Sequence, residues 1–147
     1  MTNPRIHGGP DAHGVPLHDF STNSNACGPC PSALLAIHAA DPSTYPDASY
    51  TALREQLAGF HQVAVGRIVL AASASEFIFR ITAMVARRGG RAAALPKYSY
   101  GDYAHAAAAH GLTVNVAPTD ADLCWACEPS SPLGQAHVDW TFGSQAV

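Results

Sequence analysis

Charge is scarce in this sequence: Asp, Glu, Lys and Arg make up 13% of its 147 residues, and lysine occurs once, as Lys97. Eight Lys plus Arg against eleven Asp plus Glu leave a net charge of −3. Arg87, Arg88, Arg91 and Lys97 fall close together, and the other cations are scattered. A nucleic-acid partner needs a broad basic face with several phosphate contacts, so the composition argues against one. Long apolar runs are also missing, since 68–72 and 104–109 stop far short of the ~20 residues that cross a bilayer. The opening MTNPRIHGG has no apolar signal core, so the sequence reads as a cytoplasmic protein without a membrane partner.

Neither a solenoid repeat nor a collagen-like or disordered composition is present, because 48% of the residues are hydrophobic and mean hydropathy is +0.03. One compact core is the expectation for this length.

Residues 1–31 are rich in Gly, Pro, Asn, Ser and His and read as an extended arm and loop. Leu34, Leu35 and Ile37 then suggest a helix ending before Asp41-Pro42. Tyr50, Leu53, Leu57 and Phe60 recur at helical spacing and predict one apolar face, with Gly59 fraying the helix end. The run 67–72 predicts a buried strand, and Phe77, Ile78, Ile81, Met84 and Val85 place a helix directly after it. Ser73 and Glu76 have the form of a capping box at its start, and Arg87, Arg88, Gly89 and Gly90 mark its end. Further strands are expected at 92–95 and 112–116, with a helix from Tyr100 to His110 closed by Gly111 and an apolar run at 123–127. Alternating strand and helix imply an α/β layer structure with mainly parallel strands.

The turn Ser73-Ala74-Ser75 would present free N–H groups and a positive helix end, an arrangement that suits a phosphate as well as a plain surface cap. Tyr98, Tyr100 and Tyr103 crowd a helix start, where they could pack internally or stack on a ligand. Two CxxC pairs, Cys27/Cys30 and Cys124/Cys127, raise a zinc or thiol function. Their separation of roughly 90 residues and the predicted strand around the second pair argue against a shared ion. None of the eight histidines forms the i, i+4 pattern with glutamate between that binds zinc in metalloproteases.

In order, His7-Gly8-Gly9, the segment from Leu17 to Asn23, Tyr45-Pro46-Asp47, Ser73-Ala74-Ser75-Glu76, Tyr100-Gly-Asp-Tyr103 and the turn from Cys127 to Gly134 resemble the N-terminal half of fold-type I pyridoxal-phosphate enzymes. The likeness is to the branch of class I/II aminotransferases containing histidinol-phosphate aminotransferase and L-threonine-O-3-phosphate decarboxylase, and the arm resembles the decarboxylase side. The resemblance implies a partial α/β large domain over 32–135 behind the arm, with an unassigned tail over 136–147. It assigns Ser73, Ala74 and Ser75 to the phosphate of pyridoxal 5′-phosphate, and Tyr100 to the pyridine ring with Tyr98 as fallback. Ser131 stands where the family places an asparagine on the pyridine hydroxyl. Tyr45 would reach the cofactor phosphate of a partner subunit, which implies a homodimer.

The family's Schiff-base lysine, ring aspartate and substrate arginine come after the segments matched here, and Lys97 does not correspond to that lysine. No catalytic residue is therefore assigned. The expectation is a truncated piece of an enzyme acting on amino acids or their phosphate esters, inactive by itself. A non-catalytic phosphate-binding or dimerising half-domain is the alternative, and a CxxC metal or thiol protein a weaker one.

Overall fold

The computed structural model describes residues 8–22, 25–114, 116–131 and 133–136. His7, Asn23, Pro132 and the tail over 137–147, which entered the sequence reading, lie outside the described residues. By internal contacts the chain divides into two units, Thr22–Leu70 and a second formed by Met1–Ser21 with Ala71–Val147.

The unit Thr22–Leu70 holds α1 (Pro31–Ala39) and α2 (Thr51–His61), followed by a single 3-10 turn at Val65–Arg67. Pro31 suits the first helical position, where its missing N–H costs nothing. Asp47 builds the entry to α2: its carboxylate accepts the N–H groups of Ser49 at 2.9 Å and Thr51 at 2.8 Å. These bonds hold its carboxyl below the usual carboxylate range. Gly59 is internal to α2 and does not fray it, because the helix runs on to His61 and is closed by left-handed Gln62. The apolar face expected on α2 is not buried here, for Ala58 is its one buried residue and Phe60 is 81% exposed.

The other unit contains α3 (Ala74–Arg87), β1 (Ala93–Ala94), α4 (Gly101–Ala109) and β2 (Leu123–Cys124). β1 and β2 are parallel, with Ala93 opposite Leu123 and Ala94 opposite Cys124. Ala92 forms a parallel bridge to Thr113, so β1 is flanked on both sides and α4 is the crossover. This is the expected α/β arrangement on a reduced scale. Two expected strands are shorter or missing: 112–116 contributes only the bridge at Thr113, and 67–72 pairs with nothing in strand fashion among the described residues. An apolar, β-branched run supplies extended backbone, but a strand also requires a neighbour for its ladder.

Both long-helix ends close in the same way. Gly89 (φ 93°) and Gly111 (φ 70°) take the left-handed position after α3 and α4. Beyond each, the chain donates back to the helix, Gly90 N–H to Val85 O at 3.0 Å and Leu112 N–H to Ala107 O at 2.9 Å. Gly90 has no room for a side chain, since a Cβ would lie 2.5 Å from Val85 Cγ1 and 3.0 Å from Val85 O. Gly90→Ala is expected to lower stability by about 1–3 kcal/mol through that overlap, measured by urea unfolding.

Between these helices lies the core. Ile78, Tyr103 and Ala106 pack with Phe79, Leu95, Tyr100 and Trp125, and Ala93, Ala107 and Leu112 form a second cluster with Val85 and Leu123. Burying a side chain the size of Ile78 contributes roughly 1.5–3 kcal/mol. Thr82 is fully buried on α3 and satisfies its hydroxyl by donating to Ile78 O at 2.7 Å.

Asp122 pins the start of the sheet, its carboxylate accepting from Arg91 N–H at 2.7 Å and Ala92 N–H at 3.0 Å. The Arg91 bond, then the Ala92 bond, holds its carboxyl below the usual range. The stability it contributes is present above the ordinary carboxylate value near ~4 and lost as pH falls through the depressed one. Asp122→Asn is expected to lower the melting temperature at pH 7, with the gap to wild type shrinking as acid is added.

Candidate functional site

The first turn of α3 starts at Ser73, whose extended backbone and side chain cap the helix: Ser73 Oγ accepts from Glu76 N–H at 3.1 Å. Only half of the expected box forms, for the Glu76 carboxylate turns to Arg80 at 3.1 Å. That pair is exposed and worth little. With the Glu76 N–H occupied, the N–H groups of Ala74 and Ser75 have no acceptor among the described residues. They open a helix of 14 residues, where the peptide dipoles add a partial positive charge.

α4 begins beside this turn. Tyr100 is its N-cap, and Asp102 in its first turn is 1% exposed. The Ser75 hydroxyl donates to Asp102 Oδ2 at 2.5 Å and lies 3.2 Å from the Tyr100 hydroxyl. Ser75 and Tyr100, 25 residues apart in sequence, are thus brought together.

Below them is an aromatic layer. Tyr103 stacks on Trp125 with centroids 5.0 Å apart and planes at 16°, and Phe77 meets Trp125 edge-on at 6.0 Å. Burial first, and Cys127 second, push the Tyr103 phenol above its usual range. Tyr100 contacts Tyr103 edge-on at 6.3 Å and is half-buried.

The remaining residues of the sequence reading are distributed as follows. Ser131 is half-buried in a turn closed by Gly134 N–H to Ser130 O at 2.7 Å and Ser130 N–H to Gln135 O at 2.8 Å. Tyr45 is fully exposed in the other unit. Tyr98 is 55% exposed, and Lys97 Nζ sits over its ring at 5.2 Å. In the arm, Gly8 approaches Ser21 so closely that a Cβ would overlap Ser21 O, and Gly9 N–H donates to Ser21 Oγ at 2.9 Å. The two parts of the arm that carry the family resemblance therefore touch.

Asp102 and Trp125 were not singled out from the sequence. A small acid in the first turn of a helix was the available signal for Asp102, although its burial against Ser75 was not. The four cysteines are free, one pair in each unit, and no group of three metal-ligating side chains occurs among the described residues. No helix among the described residues is long and apolar enough to cross a membrane.

The donor set fits a phosphate: two N–H groups at a helix start without an acceptor among the described residues, with the Ser73 hydroxyl beside them. The one lysine, Lys97, places its Nζ over the Tyr98 ring.

Comparison with known proteins gives a consistent picture. Residues 16–132 match the family model described as aminotransferase class I and II. A histidinol-phosphate aminotransferase of Erythrobacter litoralis is 38% identical over 112 residues, covering 76% of this chain and 30% of the relative. One of Staphylococcus carnosus is 27% identical over 139 residues, covering 82% and 39% respectively. The chain thus spans about a third of the length of these relatives.

Proposed function

Because the chain belongs to the class I and II aminotransferase family, whose members are generally pyridoxal-phosphate dependent, we propose that it is the phosphate-anchoring part of such a protein. The complete activity would act on amino acids or their phosphate esters, by amino transfer or by loss of carbon dioxide as in phosphothreonine decarboxylation. The observation that carries this reading is the pair of unclaimed N–H groups, Ala74 and Ser75, at the start of α3 beside the Tyr100 hydroxyl.

In this reading the two N–H groups and the Ser73 hydroxyl hold the phosphate, and Tyr100 lies along the ring. Ser131 faces the ring hydroxyl, and Tyr45 reaches the phosphate of a second copy. When bound, pyridoxal phosphate would withdraw electrons from the α-carbon of an amino acid. The arm at 1–31 and the cofactor layer at 32–135 would divide the chain accordingly.

Lys97 is the one lysine, so the chain by itself performs no turnover. That same scarcity favours the second reading, a phosphate-binding or dimerising module without chemistry. Exposed apolar side chains such as Leu35 at 71% and Phe60 at 81% support a homodimer that covers them.

The test is a pyridoxal-phosphate titration followed by tryptophan fluorescence, then borohydride reduction and peptide mapping. Saturable binding competed by inorganic phosphate, with no turnover of phosphothreonine or histidinol phosphate, is expected. Binding that ignores phosphate would remove the proposal.

Ala74→Pro sharpens the test. Proline suits the first helical position and deletes one N–H, and the extended backbone of Ser73 accommodates a following proline. Helix stability should be retained, while phosphate affinity falls about tenfold, as loss of one bond to a charged group implies.

A further inference from the structure

The direction of the hydrogen bonds around Ser75 carries a consequence for how an anion is held. Asp102 Oδ2 accepts from the Ser75 hydroxyl, so the single hydroxyl proton of Ser75 is committed to it. The O···O separation of 2.5 Å is that of a charge-assisted bond. Ser75 Oγ can then only accept from its other neighbour, which makes the Tyr100 hydroxyl the donor across 3.2 Å. The resulting chain runs one way, from Tyr100 through Ser75 to Asp102.

Burial makes the chain consequential. Asp102 is 1% exposed and sits in the first turn of α4, where the helix end favours a negative charge. Through Ser75 it also lies next to the first turn of α3. Its charge offsets the positive end on which a phosphate would rest.

We infer that Asp102 is a positioning residue that turns the Ser75 hydroxyl away from the anion and restrains the affinity of the α3 turn for phosphate esters. This rests on the phosphate-site reading above. Ligand contact is thereby left to the Ala74 and Ser75 N–H groups and the Ser73 hydroxyl, and the Tyr100 ring is fixed by its donated bond.

Asp102→Asn tests the inference in the intact chain. An amide at that position can donate to Ser75 Oγ, which frees the Ser75 proton, and the negative charge is removed. Titration with inorganic phosphate and with pyridoxal phosphate should show tightening of about tenfold. In a Ser75→Ala background the same substitution should tighten binding distinctly less, because no hydroxyl is released.

A readout independent of ligand is the tyrosine Raman doublet, taken as a difference against Tyr100→Phe. It should report Tyr100 as a donor in the wild type and shift towards an acceptor in Asp102→Asn. Phosphate binding in the wild type that Asp102→Asn leaves unchanged or weakens, with the variant folded by circular dichroism, would overturn the inference alone. Absence of phosphate binding in every variant would overturn the site reading and the inference with it.

Discussion

Trp125→Ala is expected to lower the unfolding free energy by about 3–5 kcal/mol, the largest single-residue effect anticipated for this chain. Trp125 follows β2, and its N–H donates to Ala94 O at 3.0 Å, extending the β1–β2 pairing by one bond. Its ring joins α3 and α4: it stacks on Tyr103 of α4, meets Phe77 of α3, and packs on the cluster of Ile78, Tyr103 and Ala106. Deleting it leaves the faces of Tyr103, Phe77 and Ile78 without a packing partner, and the cavity adds to the lost transfer free energy. Trp125→Phe provides the control. Trp125 Nε1 is buried without an acceptor, so phenylalanine keeps an aromatic layer and removes an unsatisfied donor. The phenylalanine variant should lose far less stability than the alanine variant in urea unfolding. Equal losses would mean that the indole nitrogen, and not the ring packing, holds this layer.

Hydrogen exchange should show the second large effect, with α4 amides protected at least ~100-fold more than those of α1. Both helices have 9 residues, a length that is marginal for a helix in water. α4 buries Asp102, Tyr103, Ala106 and Ala107, whereas α1 buries nothing and has no side-chain cap at Cys30. α4 also contains a run of alanines, the best helix formers, but propensity alone contributes only tenths of a kcal/mol per residue. Tertiary packing is therefore the source of the difference. Strong protection of α1 that disappears on dilution would instead show its apolar side chains covered by a second copy, as the homodimer proposal requires.

Much of the local architecture was legible in the sequence. Ser73 as a helix cap, the glycines after α3 and α4, and the stop before Asp41-Pro42 are decided by dihedral preferences and by donors within a few residues. The ordered short motifs were equally legible, because family membership is recorded in residue identities. The strand expected at 67–72 was not decided locally, since identical apolar residues make a strand or a loop according to whether a neighbour offers a ladder. Leu53, Leu57 and Phe60 lie on α2 as their spacing predicts, whereas Tyr50 is its left-handed N-cap and not part of the helix, and periodicity identifies a face without stating what covers it.

What the sequence determined by itself is the presence of the four helices, the start and end of α3, the glycine stop after α4, and the family. Tertiary structure alone decided that Ser75, Tyr100 and Asp102 form one hydrogen-bonded chain, and that Trp125 underlies it. These residues are separated by 25 residues or more along the chain from Ser75. Such contacts form only when α3 and α4 pack, and it is that packing which buries Asp102 against the Ser75 hydroxyl at the start of α3.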